Sequence, residues 1–411
     1  MTAAPRLHPS TLATLPPAVQ VPTFDRTRLR AGIVHLGLGA FMRAHLAAVN
    51  DDALDAGGAL DWGIVGVSLR QADARDALAP QAGLYALALR DVQGERLRII
   101  GSVLDCLVAP EDPRAVLERI AHAHTRIVSL TVTEKGYCHD PASGALQLDH
   151  ADIVHDLAHA TAPRSAIGFI VHGLALRRAR GLGPVTLMSL DNLPANGHTL
   201  QGLVAAFAQR IDPDLAAWIE AGCTFPNSMV DRIVPRSTEA DRAAVATALG
   251  QHDAWPVVGE TFLDWAVEDR FAAGRPAWEA GGARFVADAE PFERLKLRMV
   301  NGAHSALAYL GTMAGFATVD RAIAQPLLRS YIETLMREEI APTLPTMAGP
   351  LAQLLARADV NSSERRRVEV ITAFAPVFGG LGSELRFVEA VAHWTLSLRE
   401  HGVLGTLARS G

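Results

Sequence analysis

The chain has 411 residues, of which 49% are hydrophobic and 20% charged, and its formal net charge is -6. This length predicts two domains of ordinary globular composition. The negative charge argues against nucleic acid or an anionic membrane surface as a main partner. No apolar run reaches the roughly 18 residues of a membrane span or resembles a signal peptide, so we expect a cytoplasmic protein with an extended, partly ordered lead-in over residues 1–20. Three widely spaced cysteines predict neither a disulfide framework nor a cysteine zinc site.

The first two-thirds of the chain alternates β-branched runs with helical segments. The predicted strands are 33–36, 62–70, 96–106, 126–134 and 184–192. Helical segments lie between several of them, such as 111–124 and 149–160. This alternation predicts an α/β fold of Rossmann type, in which helices cover both faces of a parallel sheet.

A glycine turn follows the first predicted strand. Gly37, Gly39 and Ala40 connect that strand to a helix, and such a turn can bring backbone N–H groups close to a pyrophosphate. The third glycine of the GxGxxG pattern is absent, since Met42 takes its place, so a tight turn without a ligand remains the alternative. The candidate cofactor-binding residues here are Gly37, Gly39, Ala40, Phe41 and Arg43.

Two later strand ends carry further cofactor candidates. Selection of NAD usually depends on an acid near the end of the second strand. The nearest acid is Asp73, whereas Arg70 lies closer to the strand and could accept the 2′-phosphate of NADP. At the end of 126–134, Glu134 and Lys135 can meet a cofactor or a substrate, and a surface ion pair is the alternative.

The strand at 184–192 ends in a polar pair, Asp191 and Asn192. Polar groups at the end of a buried strand need hydrogen-bond partners. They can therefore face a ligand, or they can cap the helix that follows.

His155 and His159 are four residues apart, as in zinc-binding helices, and offer an alternative metal site. The general-base glutamate is missing, with Asp156 in its place, and no third ligand is evident. We therefore expect no metal.

Beyond about residue 285 the strand signals fade. The segments predicted to be helical are 288–315, 317–340, 346–358 and 383–400. We expect a dinucleotide-binding domain at 1–285, whose last part, 236–285, is a joining segment. A mostly helical domain follows at 286–411.

Lysine is scarce: the chain has 36 arginines but only Lys135 and Lys296. Arginine cannot lose its proton in a protein, whereas a desolvated lysine can become a neutral amine. A site that needs a titrating amine would therefore keep lysine, although two lysines could also survive by chance.

Lys296 shares one predicted helix face with three other polar residues. On an α-helix, Glu293, Lys296, Asn301 and His304 fall within an arc of about 140°. Oxidation of a hydroxyl group needs a base and hydrogen-bond donors for the developing alkoxide. Lys296 can be the base, Asn301 a donor, and His304 can orient a hydroxyl. An exposed polar face is the alternative.

Eight stretches in order resemble a known family. They are IVHLGLGAFMRAH, WGIVGVSLR, TVTEKGY, DNLPANG, FPNSMVDRIVP, ETFLDWAVEDRF, GRPAWEAGGARFV and KLRMVNGAHSALAYLG. The chain is similar to the polyol-specific long-chain dehydrogenases, which include mannitol and arabinitol dehydrogenases and fructuronate reductase. The family's signature of Lys, four residues, Asn, two residues and His falls on Lys296, Asn301 and His304.

The resemblance implies a zinc-independent, NAD-dependent oxidoreductase, with NADP possible, that interconverts a mannitol- or arabinitol-type sugar alcohol and its ketose. Lys296 would be the general base, and Glu293 could pass its proton to solvent. Asn192 would bind the substrate oxygen, and Asp231 is a further substrate-site candidate. We expect a small-molecule polyol or ketose as the partner, and a monomer or small homo-oligomer.

One segment departs from the family pattern. The family's polar contacts to the far hydroxyls of the substrate have no match in residues 361–387. Arg386 or the cluster Arg365–Arg367 could replace them, and we favour the alternative of a site that is open at its far end. Three alternatives stay open: a fructuronate- or tagaturonate-type reductase, an NAD-dependent sugar epimerase, and a dinucleotide-binding protein without catalysis.

Overall fold

The computed structural model describes residues 4–91, 94–317 and 319–344. The chain divides into two compact units, Met1–Ala289 and Glu290–Gly411. Within the described ranges, no helix is long and apolar enough to cross a membrane.

The first unit contains eleven strands and nine α-helices within its described residues. The strands are β1 Ala31–Leu36, β2 Gly63–Ser68, β3 Tyr85–Asp91, β4 Gly94–Ile100, β5 Val103–Val108, β6 Ile127–Leu130, β7 Thr186–Ser189, β8 Ser228–Asp231, β9 Val257–Glu260, β10 Asp264–Glu268 and β11 Ala283–Val286. The helices are α1 Ala40–Ala44, α2 Leu46–Asp55, α3 Asp73–Leu78, α4 Pro113–Ile120, α5 Ala151–Ala158, α6 Ala166–Ala179, α7 Asn196–Ile211, α8 Pro213–Gly222 and α9 Glu239–Leu249.

A five-stranded sheet of order β5-β2-β1-β6-β7 forms the centre of this unit, and all its neighbouring strands are parallel. Every residue of β1 is buried, as expected for a strand covered on both faces. Two apolar clusters fill those faces: Val34 and Leu36 belong to one, and Ile33 to the other. The predicted parallel α/β sheet is confirmed.

The prediction of one strand at 96–106 is wrong. That stretch forms the end of β4 and the start of β5, which belong to different sheets. The chain breaks at Gly101 and Ser102, whose N–H groups both donate to the buried carboxylate of Asp51 at 2.8 and 2.7 Å. β4 instead joins β3 and β9 in a three-stranded sheet, and β8, β10 and β11 form another.

The N-terminal segment is ordered from residue 4 and is bonded to a distant part of the unit. The N–H of Leu7 donates to the carbonyl of His252 at 2.9 Å, and that of His252 to Pro5 at 2.8 Å. Leu7 is fully buried against Leu84 and Val258. The segment is therefore part of the folded unit and more ordered than the extended, partly ordered lead-in expected from its sequence.

The second unit is helical throughout its described residues. It contains α10 Glu290–Leu295, a π-helical turn Lys296–Asn301, α11 Gly302–Met313, α12 Val319–Ile323, α13 Pro326–Thr334, a second π-helical turn Leu335–Ile340 and a 3-10 turn Ala341–Thr343. Leu307, Leu310 and Ile332 are buried in its apolar cluster. The helices predicted at 288–315 and 317–340 are thus present but interrupted, and those at 346–358 and 383–400 lie outside the described residues.

Candidate active site

A cavity of about 1010 Å³ lies at the carboxyl ends of β1, β2 and β6 in the first unit. This is the edge at which open α/β sheets bind their ligands. Of the predicted cofactor residues, seven line it: Gly37, Gly39, Ala40, Arg43, Arg70, Asp73 and Lys135. Phe41 stacks on His45 with ring centroids 5.0 Å apart, and neither Phe41 nor Glu134 is among the lining residues.

Glycine occupies positions 37 and 39 of the turn for different physical reasons. Gly37 has a φ of 101°, and a Cβ atom there would lie 2.0 Å from the carbonyl oxygen of Thr131. Gly39 has a φ of -85°, and its Cβ would meet only the Gly37 oxygen, at 3.9 Å. The fold itself thus requires glycine at 37, whereas glycine at 39 leaves the cavity wall open to a ligand.

The cavity is basic although the chain as a whole is acidic. Its cationic lining residues are Arg43, Arg70, Lys135, Arg164, Arg236 and Arg242. Only two carboxylates, Asp73 and Asp152, are in the lining. Such an excess of positive charge favours an anionic ligand.

Arg43 is less available than its position in the sequence suggested. It is buried, and its Nη1 donates to the carbonyl of Trp255 at 2.5 Å. Its guanidinium also lies 5.2 Å from the ring centre of Tyr85. Burial lowers the pKa of Arg43, and the side chain forms part of the cavity wall.

Arg70 and Lys135 are exposed at the cavity. Within the described part of the chain neither forms an ion pair, so the expected alternative of a Glu134–Lys135 pair is not observed. Asp73 is the first residue of α3 and is also exposed at the cavity. Asp73 and Arg70, the acidic and the cationic residue that could select between NAD and NADP, therefore both lie at the cavity.

Asp191 and Asn192 diverge in the structure. The carboxylate of Asp191 accepts the N–H groups of Val132 and Thr133, so it does not cap the following helix, whose N-cap is Ala195. Asn192 is exposed.

The geometry does not favour metal at either histidine cluster. His155 and His159 stack with ring centroids 4.2 Å apart, and Nδ1 of His159 lies 2.8 Å from the His155 carbonyl. One donor atom each of Cys138, His150 and Asp152 lie within 4.8 Å of one another. However, His150 Nδ1 accepts the Asp152 N–H at 3.2 Å, which places the proton of a neutral ring on Nε2. A metal-bound histidine normally donates its second N–H instead.

In the second unit the predicted catalytic residues lie along one nearly continuous helix, but it is not uniformly α-helical. Residues Lys296–Asn301 form a π turn, in which the N–H of Gly302 donates to the Leu297 carbonyl five residues back. The predicted 140° arc assumed a regular α-helix. Because a π turn is wider, residues five apart lie nearly above one another, so Lys296 and Asn301 come closer around the helix than predicted. Such turns are frequent at functional sites.

The polar groups on this helix are mostly buried. Lys296 and His304 are 6% and 2% exposed, and Glu293 and Asn301 are half-buried. Burial lowers the pKa of His304 to about 4, so its imidazole is neutral near pH 7. The buried carboxamide oxygen of Asn301 has no hydrogen-bond partner among the described residues. The alternative of an exposed polar face does not apply.

The remaining substrate candidates are Asp231 and Arg386. Asp231 is buried at the end of β8, opposite Asp264 of β10. Arg386 and the rest of 361–387 lie outside the described residues.

Sequence reasoning missed much of the cavity wall. Arg164 and Ser165 precede α6, and Arg236 follows β8. Ser165 caps α6 by accepting the N–H of Gly168, so a serine before an apolar run was an available signal for the first pair. The position of Arg236 depends on how the chain returns from the sheet of β8, β10 and β11. The sequence has no local signal for that return.

Comparison with known proteins identifies the family. The profile described as "Mannitol dehydrogenase Rossmann domain" matches residues 31–280, and "Mannitol dehydrogenase C-terminal domain" matches 288–358. Mannitol dehydrogenase DSF1 of Saccharomyces cerevisiae is 44% identical over 351 residues, which are 85% of this chain and 70% of that protein. Across similar curated relatives the chain spans between 59% and 80% of their length.

Two solved structures are similar. The structure of Pseudomonas fluorescens mannitol 2-dehydrogenase in a ternary complex with NAD and D-mannitol has a TM-score of 0.82 and 39% identity, covering 90% of this chain and 75% of that one. A substrate-free D-sorbitol dehydrogenase has a TM-score of 0.83 and 35% identity, covering 89% and 76%. The family predicted from the sequence is confirmed: the chain belongs to the mannitol dehydrogenase family.

Proposed function

We propose that this protein is an NAD-dependent polyol dehydrogenase that interconverts a sugar alcohol of mannitol or arabinitol type and its ketose. One observation carries the proposal: Lys296, Asn301 and His304 lie along a largely buried helix that contains a π turn. Membership of the mannitol dehydrogenase family and the similarity to a structure solved with NAD and D-mannitol support it.

The cavity of the first unit fits a dinucleotide. Its volume of about 1010 Å³ is at the upper end for small-molecule sites. Gly39 leaves room for a phosphate, and the basic lining complements two phosphate charges. The exposed cations of the lining that would contact the phosphates or the ribose are Arg70, Lys135, Arg164 and Arg236.

When bound, NAD supplies the hydride acceptor. Lys296 takes the proton of the substrate hydroxyl as the carbon is oxidised, a role that arginine cannot fill. Asn301 donates a hydrogen bond to the oxygen as negative charge develops on it. His304, neutral at physiological pH, positions a neighbouring hydroxyl, and Glu293 carries the proton from Lys296 toward solvent. Asp231 is a further candidate for contact with the substrate. None of these steps uses a metal.

NADH formation across a panel of mannitol, arabinitol, sorbitol and aldonates tests this proposal. We expect oxidation of at least one polyol, unchanged after treatment with EDTA and strongly reduced in Lys296→Ala. Oxidation of aldonates alone would replace the proposal by a keto-sugar-acid reductase. Bound NAD with no turnover of any polyol would contradict it.

A further inference from the structure

The loop after β6 is fixed in place by a residue that follows a different strand, β7. The carboxylate of Asp191, just beyond β7, accepts the N–H of Val132 at 2.9 Å and that of Thr133 at 3.1 Å. The hydroxyl of Tyr137 donates to the same carboxylate at 2.8 Å and lies 2.6 Å from the hydroxyl of Ser189. Asp191 thus holds both ends of residues 132–137.

The held loop is strained. Thr133 has a φ of 63° and a ψ of 163°, a region that is nearly exclusive to glycine. Cys138, which follows a 3-10 turn at Glu134–Tyr137, is left-handed with a φ of 51°. Non-glycine residues persist in such conformations only where the surrounding structure imposes them, and they concentrate at ligand sites. The hydrogen bond to the N–H of Thr133 supplies such a constraint.

The same loop forms one wall of the cofactor cavity. Val132, Lys135 and Cys138 line it, whereas Asp191 does not. Burial raises the pKa of Asp191 even though three donors stabilise its charged form. The three donors to this carboxylate all belong to the loop that Asp191 holds.

We propose that Asp191 is a positioning residue for the cofactor: through the N–H groups of Val132 and Thr133 it holds the strained loop in the shape that accepts the dinucleotide. Because Asn192 is the next residue, the same contact fixes the place from which Asn192 projects. This inference rests on the proposed NAD-dependent function.

A matched pair of variants separates positioning from stability. Asp51 is also buried, and its two carboxylate oxygens also accept two consecutive backbone N–H groups, of Gly101 and Ser102. Neither of those residues lines the cavity. Asp191→Asn and Asp51→Asn each replace one accepting oxygen by a donating amide, so both should lower the melting temperature.

Titration with NADH, followed by its fluorescence, distinguishes them. We expect Asp191→Asn to raise the Kd for NADH about 10- to 100-fold, because a donor then faces a donor in the cavity wall. Asp51→Asn should stay within about twofold of the wild type. Equal Kd values for Asp191→Asn and wild type, or equal shifts in both variants, would overturn the inference. A wild type that does not bind NADH would overturn the proposed function and this inference with it.

Two milder variants keep the test decisive if Asp191→Asn folds poorly. Tyr137→Phe removes one donor from Asp191 and should raise the Kd about 3- to 10-fold. Adding Thr133→Gly to Asp191→Asn relieves the strain, so it should recover melting temperature without recovering affinity. Recovery of both would mean that Asp191 only offsets strain, contrary to the proposal.

Discussion

Lys296 is one of only two lysines in the chain, and it is 6% exposed. If it is the general base, Lys296→Ala should lose about 100- to 10,000-fold in kcat while NADH still binds. Lys296→Arg should be nearly as poor, because it keeps the charge but cannot release the proton. Stopped-flow measurement of NADH formation with the preferred polyol checks both.

The neighbouring Glu293 provides the control for that experiment. Glu293→Gln should slow polyol oxidation and leave the Kd for NADH unchanged, since the residue would act only on the proton from Lys296. An arginine variant at 296 with near-normal turnover would end the general-base assignment.

We expect Arg70 and Asp73 to set the choice between NAD and NADP. Both are exposed at the cavity, and only Asp73 can bind ribose hydroxyls as an acceptor, whereas Arg70 can pair with a 2′-phosphate. We expect a preference for NAD, and Arg70→Ala should lower kcat/KM for NADP about tenfold or more with little change for NAD. A clear NADP preference in the wild type, lost in Arg70→Ala, would reverse the assignment.

Single residues were predictable where chemistry limits the choice, and less so where packing decides. Gly37 has the positive φ and the close backbone approach that the predicted turn requires, whereas the role of Lys296 stays a prediction. The engagement of Arg43 by the Trp255 carbonyl was not predictable, because it depends on a residue more than 200 positions away. Asp191 was correctly expected to be hydrogen-bonded, but its partners belong to another strand.

At the scale of elements, the strand–turn–helix unit at β1 and α1 makes a paired prediction. Gly37→Ala should lower the unfolding free energy by about 3 kcal/mol or more, since its Cβ would collide with the Thr131 carbonyl and its φ is positive. Gly39→Ala should unfold like the wild type, because its Cβ meets nothing closer than 3.9 Å. Gly39→Ala should nevertheless weaken NADH binding, because the added methyl group narrows the cavity. Chemical denaturation and NADH titration distinguish the two.

The π turn makes a second prediction at this scale. A π turn accommodates one extra residue, so deleting the exposed Leu297 should convert Lys296–Asn301 to a regular α-helix with both side chains still on one face. We expect this variant to keep about 1% or more of the wild-type turnover. Deleting Gly302 instead rotates His304 by about 100° relative to Asn301 and should abolish turnover.

Circular dichroism should show that both deletion variants retain their helical content. Equal activity in the two would contradict the assignment of the three side chains to one face.

Elements were predictable where periodicity is local. Four of the five strands of the parallel sheet, β1, β2, β6 and β7, coincide with β-branched runs that the sequence predicts as strands. The π turn was not, because apolar spacing in KLRMVN is compatible with either kind of helix. The division of β4 from β5 was not either, since Gly101 and Ser102 interrupt the run without a turn signal strong enough to separate two sheets.

At the scale of the whole molecule, charge is unevenly distributed. The chain carries a net charge of -6, yet the cavity lining has six cationic side chains and two carboxylates. NADH should therefore bind several-fold more weakly when NaCl rises from about 0.05 M to about 0.5 M. Arg236→Ala should reduce this salt dependence, whereas a binding constant independent of salt would contradict a phosphate-binding role for the cavity.

The sheet of β3, β4 and β9 and the bonding of Leu7 to His252 show why the whole molecule was harder to predict than its parts. Both features join segments that are far apart in the sequence, and no local pattern in those segments predicts which other segment they contact.

That N-terminal bonding also has a consequence during synthesis. Leu7 is made 245 residues before His252, the difference between the two positions, so at ordinary translation rates it waits roughly 10–50 s for its hydrogen-bond partner. During that time an apolar side chain that is fully buried in the finished protein stays exposed to solvent and to chaperones. The hydrogen bonding of Leu7 is therefore completed only late in the synthesis of the first unit.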